Sequence, residues 1–242
     1  MTPLSPQITH LLLDIEGTTC PVSFVAEVLF PYARARLSSY CEAHAQDAEV
    51  RELVEAVDQA WASDTHPDAQ ALRLGQGRGT TVVPYMEWLI DNDVKLTPLK
   101  DLQGRIWAAG YSQGDIVAPL FHDVPAALEQ WHHQHKVLAV YSSGSVAAQQ
   151  LLYGHCQAGD LRGLFNHWFD TRTGLKQVPG SYTAIAAAMG AHPAQVLFIS
   201  DSLAEITAAA EAGMAVLFSD REGNPGRDAG PFERISDYSQ IT

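Results

Sequence analysis

A chain of 242 residues with 46% hydrophobic and 18% charged content is long enough for a full core and for a smaller insertion beside it. Its formal net charge of −13, from 15 basic and 28 acidic residues, repels phosphate polymers and anionic lipid, which argues against nucleic acid and membrane surfaces as general partners. The three cysteines, Cys20, Cys41 and Cys156, lack metal-ligand spacing and cannot all pair within the chain, as expected in a reducing cytosol rather than in a secreted disulfide framework.

The opening stretch, MTPLSPQITH, has neither a basic n-region nor a long apolar run, and no window approaches the roughly 18 to 20 apolar residues of a membrane span. A cytoplasmic, soluble protein is expected. No internal repeat or low-complexity tract stands out. ITHLLL predicts a short buried strand ending at Asp14, and DIEGTTC then brings Glu16, Gly17 and two threonines directly behind it. Cys20 reads as a small buried side chain rather than a nucleophile.

From about 21 to 120 the pattern turns helical, with Val50, Leu53, Val54, Val57 and Trp61 spaced to share one face. GQGRGTT at 75 to 81 divides this block. It lacks a preceding strand and a Gly-Lys-Ser/Thr ending, so it reads as a turn, with Arg78 near a ligand, rather than as a nucleotide loop. The block is expected to be an inserted α-helical cap at the carboxyl end of the first strand, where ligands of open α/β sheets bind, and to close over them. Tyr85, Met86 and Trp107 read first as its core and second as contacts for an apolar substrate tail.

FHDVPAALEQW leads into VLAVYS at 137 to 142, and VLFIS at 196 to 200 and AVLFS at 215 to 219 follow. Such unbroken apolar runs suit a parallel sheet covered on both faces. Helical stretches alternate with them: SVAAQQLLYGH, SYTAIAAAMG and LAEITAAAEAG. The predicted fold is therefore α/β, a doubly wound parallel-sheet core over 1–20 and 121–242 with the helical cap over 21–120. HHQH at 132 to 135 reads as a solvated helix end, because neighbouring histidines on a helix point in different directions. The polar tail from REGNPGRD onward is expected to wrap the surface.

Four groups fall at strand ends or on the connections beside them: Asp14 with Glu16, Ser142 and Ser143 in YSSGS, Lys176 in TGLK, and Asp201 in ISDS. Right-handed crossovers bring the carboxyl ends of parallel strands to one edge, so these groups are expected to share a crevice. Their chemistry is that of phosphoryl transfer. A carboxylate attacking a phosphate dianion meets repulsion that Mg²⁺ between Asp14 and Asp201 would offset. Lys176 would reduce the remaining charge, and Ser142 or Ser143 would hold the equatorial oxygens. Glu16 can protonate the leaving oxygen and later activate water against an aspartyl phosphate. Gly17 lets the chain turn so that both acids face one phosphate.

These groups, in this order and spacing, resemble the haloacid dehalogenase superfamily, whose first motif is usually Asp-x-Asp-x-Thr. Glutamate in place of the second aspartate in DIEGTT, together with LQGRIW, YSSGS, AQQLL, GDL, FDT, SY and SD, is similar to the enolase-phosphatases of methionine salvage. The likeness runs from about residue 10 to 215. It implies a Mg²⁺-dependent enzyme, with one ion per chain, that enolises 2,3-diketo-5-methylthiopentyl 1-phosphate and dephosphorylates the enol to an acireductone. It further implies a metal site at Asp14, Glu16 and Asp201 and substrate binding by Ser142, Ser143 and Lys176. KQVPGSY and SLAEITAA depart from the family's usual pattern, yet Glu205, four residues after Asp201, can reach a metal-bound water or orient Lys176.

Three other readings stay open on the residues alone. A plain Mg²⁺-dependent phosphomonoesterase would release phosphate without forming an enediol. A dehalogenase using Asp14 would survive chelation, and the extra acids Glu16 and Asp201 count against it. A non-catalytic binding protein would not incorporate labelled phosphate at Asp14. For the enolisation base the candidates are Glu16 or a cap residue near Lys100 and Gln103. The acidic surface gives no sign of an obligate interface, so a monomer acting on a small phosphorylated substrate is expected.

Overall fold

The computed structural model describes residues 5–75 and 81–241. Residues 76–80, which include Arg78 and most of the Gly-rich turn, lie outside them. The chain divides into two compact units, Met1–Val25 with Ile116–Thr242 and, inserted between these segments in sequence, Ala26–Asp115.

The first unit is built on a six-stranded sheet in the order β3-β2-β1-β4-β5-β6. The strands are β1 (His10–Leu13), β2 (Val137–Tyr141), β3 (His167–Phe169), β4 (Val196–Ser200), β5 (Ala215–Ser219) and β6 (Arg234–Ile235). Every neighbouring pair is parallel. Leu12, Ala139, Tyr141, Phe198 and Phe218 belong to one buried cluster with Tyr182, Ile185 and Ile206. Their alternates Leu11, Leu13, Leu138, Val140, Leu197 and Ile199 point the other way and are equally buried. Both faces are thus covered, which is why the strands read as continuous apolar runs rather than alternating ones.

The helices of this unit are α6 (Val124–His133), α7 (Val146–Gly154), α8 (Pro179–Ala188) and α9 (Leu203–Glu211). Pro125 and Pro179 sit in first turns, where a missing N–H costs little, and Ser145 caps α7 by accepting from Ala148 N–H. The HHQH stretch closes α6 with all of its residues exposed. The doubly wound α/β core expected from the sequence is what forms.

Two strands went unforeseen. β3 is three residues long and β6 two, too short to carry a period. The tail also differs from expectation, because it does more than wrap the surface. Ala229, Ile235, Tyr238 and Ile241 are buried, β6 pairs with β5, and the tail's backbone meets Asp123 at Tyr238 N–H, 2.6 Å away.

The second unit is helical among its described residues: a π-helical turn at Phe24–Leu29 leads into α1 (Phe30–Ala43), followed by α2 (Ala48–Ser63), α3 (Pro67–Gly75), α4 (Val83–Asp91) and α5 (Thr97–Gln113). α2 buries Val50, Val57 and Trp61, the face its periodicity marked. Trp61 stacks on Tyr85 with centroids 5.1 Å apart and donates its indole N–H to Ala69 O at 2.8 Å. α5 stops at Gly114, whose φ of 79° is the left-handed cap position.

Candidate active site

Register decides what meets at the sheet's carboxyl edge. Leu13 lies opposite Val140 of β2 and Ile199 of β4, so Asp14, one residue past the strand, stands beside Ser200 and Asp201. Its backbone N–H donates to Ile199 O at 3.0 Å, extending the ladder by one bond and fixing the direction in which the side chain leaves. Asp14 is 5% exposed, so a charge there needs partners.

Those partners form a closed ring. Lys176 Nζ donates to Asp14 Oδ1 at 2.6 Å and lies 2.7 Å from Glu205 Oε2. Ser200 Oγ lies 3.0 Å from both Asp14 Oδ2 and Glu205 Oε2. Ile15 N–H donates to Asp14 Oδ1 at 2.8 Å. Burial alone would lower the Lys176 pKa, but Asp14 and Glu205 outweigh it and hold the value above that of an ordinary lysine. The amine is therefore a permanent cation at neutral pH.

Lys176 is delivered by backbone that side chains pin down. Tyr141 donates to Gly174 O at 2.9 Å, Ser181 to Leu175 O at 2.8 Å and Tyr182 to Lys176 O at 2.7 Å. These three donors hold the connection between β3 and α8 where the chain has no regular structure to do so. All three lie in motifs quoted from the sequence, YSSGS and SY, but none was given this role there. Ser200 was also missed, although a serine inside the apolar run VLFIS is a buried hydroxyl that must find an acceptor.

Asp201 joins this group from the other side of the first turn. Gly17 has φ +66°, and a Cβ built there would land on Asp201 Oδ2, so this position excludes every side chain. Burial, and then the nearby Asp14, push the Asp201 carboxyl up to about 7, with Lys176 opposing and Glu16 adding a smaller push. Glu205 is likewise raised to about 7, by burial first and Asp14 second, against the pull of Lys176 and Ser200. Glu16 is half-buried at the turn itself.

Ser142 directly follows β2, is 4% exposed, and accepts from Gly144 N–H at 3.3 Å. Ser143 beside it is half-buried. Within YSSGS the helix cap is Ser145, which leaves the first two serines outside the cap. Gln149 ties this loop down by donating to Gly144 O and Phe169 O at 2.9 and 2.8 Å. The candidates from the insertion fare differently. Tyr85 and Met86 are 3% and 0% exposed within that unit's own core, Gln103 is buried in α5, Lys100 is half-buried, and Trp107 donates its indole N–H to Leu29 O at 2.8 Å. Cys20 is buried, and burial pushes its thiol up, as suits an inert side chain.

The donor set at the sheet edge is all oxygen, the set Mg²⁺ prefers. After burial, the charge of Asp14 is what raises the Asp201 carboxyl most, and a cation would offset that part; Asp14 Oδ2, which accepts from Ser200 Oγ, retains acceptor capacity. By donor chemistry Asp14 and Asp201 suit a hard divalent ion, although Asp14, Glu16 and Asp201 do not bring their ligating atoms within 4.8 Å of one another. Among the described residues the trio whose ligating atoms all come within 4.8 Å of one another is a different one, His122, Asp123 and Asp237. Both oxygens of Asp123 there already accept from Arg221, at 2.9 and 2.8 Å.

Residues 8–213 match the family model of haloacid dehalogenase-like hydrolases. Enolase-phosphatase E1 of Parasynechococcus marenigrum is 48% identical over 223 residues, 90% of this chain and 91% of that protein. The protein of the same name from Thioalkalivibrio sulfidiphilus is 47% identical over 96% of this chain and 97% of its own length. The chain belongs to the enolase-phosphatase E1 family of haloacid dehalogenase-like hydrolases. Among solved structures, UTR4 protein from Saccharomyces cerevisiae superposes with a TM-score of 0.74 at 34% identity, covering 95% of this chain and 98% of that one. CbbY from Rhodobacter sphaeroides in complex with phosphate, at 18% identity and a TM-score of 0.58, shares the fold.

Proposed function

We propose that this chain is a bifunctional enolase-phosphatase of methionine salvage. It converts 2,3-diketo-5-methylthiopentyl 1-phosphate to acireductone and phosphate, through an enol and an aspartyl phosphate at Asp14. The observation that carries the reading is the ring of Asp14, Lys176, Glu205 and Ser200 at the carboxyl end of a parallel sheet, in a chain 45–49% identical to proteins named enolase-phosphatase E1.

Asp14 is the nucleophile. Lys176, with one hydrogen on Asp14 and another on Glu205, keeps the carboxylate aimed and lowers the repulsion it feels from the phosphate. Ser142 and Ser143 bind phosphate oxygens together with Lys176. Glu16 protonates the departing enol oxygen as Asp14 forms its bond to phosphorus, then takes a proton from the water that cleaves the aspartyl phosphate. Asp14, Asp201 and Glu16 would hold Mg²⁺, which when bound would supply charge neutralisation and electrophilic assistance. Glu205 fixes Lys176 in place. Glu16 is also our assignment for the base that removes the proton beside the carbonyl.

No helix among the described residues is long and apolar enough to cross a membrane, and Cys20, Cys41 and Cys156 are all free thiols. These features support a cytoplasmic enzyme, and we read it as a monomer acting on a small phosphorylated substrate. The test is an assay of phosphate release and of ultraviolet-absorbing enediol on the diketone phosphate, with and without Mg²⁺. Both products are expected with the ion and neither after chelation. Phosphate without enediol would leave a plain phosphomonoesterase, and activity that survives chelation would end the metal-dependent reading.

A further inference from the structure

The family match ends at residue 213, yet the chain beyond it reaches back to the first signature. The Gly17 carbonyl accepts two side-chain hydrogen bonds, from Ser219 Oγ and from Asn224 Nδ2, each at 2.9 Å. Ser219, the last residue of β5, is 0% exposed, and Asn224, in the turn that follows, is 7% exposed. On the other side of the same residue, Gly17 N–H donates to Cys20 O at 2.8 Å. Both peptide groups that flank Gly17 are therefore fixed.

The Asn224 amide has a single workable orientation. Its Nδ2 faces Gly17 O and, at 3.2 Å, Ser219 O, so a flip would set Oδ1 against two acceptors. That Oδ1 is buried without a hydrogen-bond partner among the described residues. Two carbonyls on the same side of the amide therefore fix its NH₂ group towards the first turn. Asn224 is itself anchored: its N–H donates to Arg221 O at 3.3 Å, and the Arg221 guanidinium is locked by Asp123 and by Ser236 O at 2.8 Å. A Cβ added to Gly17 would stand 2.9 Å from Asn224 Nδ2 and would collide with Asp201 Oδ2. The turn is thus held between Asn224 and Asp201, with Glu16 immediately before it.

We propose that Asn224 and Ser219 are positioning residues for the reaction. By clamping the Gly17 carbonyl from the segment after β5, they hold Glu16 in line with the reacting phosphate and keep Asp201 at its distance from Asp14. The proposal rests on the roles assigned above to Glu16 and Asp201. It separates chemistry from binding, because the phosphate-binding roles assigned above fall to Ser142, Ser143 and Lys176, which lie on other segments of the chain.

The test uses the full chain with Mg²⁺ and the diketone phosphate. Asn224→Ala is expected to lower kcat about 10- to 100-fold, the range in which outer-shell partners act, with KM changed by less than about 2-fold. Ser219→Ala, which leaves one donor, is expected to lower kcat less. Hydrogen exchange supplies a readout independent of turnover: amides of residues 14–20 exchange faster in both variants, while those of β2 and α8 keep wild-type rates. Wild-type kcat in both variants overturns the proposal, as does a kcat loss accompanied by faster exchange throughout the sheet. If Asn224→Ala does not fold, Ser219→Ala decides by the same two criteria. A wild-type chain that releases no phosphate overturns the assigned function itself, and the exchange data then still report whether the clamp exists.

Discussion

Lys176 is the residue on which the charge balance of the site turns. It lies between Asp14 and Glu205 with its side chain 10% exposed, and Asp201 is close enough to feel it. Lys176→Met keeps the apolar stem and removes the cation, so two buried carboxylates face each other with only Ser200 between them. Turnover is expected to fall by about two to three orders of magnitude, the loss seen when one preorganised electrostatic group is removed, as measured by phosphate release under saturating substrate. Gly17 offers a second check. Alanine there pays for a left-handed φ, about 1–2 kcal/mol, and must also displace Asp201. Gly17→Ala is expected to lower both the melting temperature and kcat, whereas Gly104→Ala, in α5 with open space around its Cβ position, is expected to raise stability by about 0.5–1 kcal/mol in the same denaturation experiment.

At the scale of elements, the strands that place the site end where the apolar runs end, and the tail fastens to them. Arg221 lies 4.6 Å from the Phe121 ring centroid and 4.7 Å from that of Tyr238 and pairs with Asp123, both side chains being 4% exposed. Asp123→Ala leaves a guanidinium buried without its counter-charge. The expected cost is about 3–5 kcal/mol, read as a lowered midpoint in urea with an unchanged slope. β1, β2, β4 and β5 were legible because burial on both faces leaves an unbroken apolar signature, and α2 because one face only is buried. β3 and β6 were not, because pairing across the sheet rather than local pattern makes two or three residues into a strand. The site was legible in the same partial way. Asp14, Glu16, Lys176 and Asp201 stood out as candidates by residue type at strand ends or on the connections beside them. The neutral side chains that aim them, Tyr141, Ser181, Tyr182 and Ser200, did not, since a tyrosine or serine in an apolar stretch reads as packing until its acceptor is known.

For the molecule as a whole, the crowded acids tie stability to pH. In the metal-free protein Asp201 and Glu205 hold their protons up to about 7, whereas their ordinary values are 3.8 and 4.5. Between those limits the native chain binds more protons than the unfolded one, so these two groups lower stability as pH rises from about 4 to about 7. Asp201→Asn isolates one of them. Without metal this variant is expected to be more stable than the wild type at about pH 8, by a few kcal/mol in order of magnitude, and the difference is expected to shrink towards zero near pH 4. Parallel urea titrations at the two pH values measure it, and an equal gain at both would show that charge is not the cause.

The sheet order also bears on how this polypeptide is made. β1 is the central strand, with Leu12 opposite Ala139 on one side and Phe198 on the other, and the whole helical insertion is synthesised between it and its first neighbour. During translation both edges of a leucine-rich segment wait unpaired for more than a hundred residues, an arrangement that slows folding and invites misassociation. The insertion, Ala26–Asp115, is complete before β2 is made. Its helices can form while the nascent first strand is still without a partner.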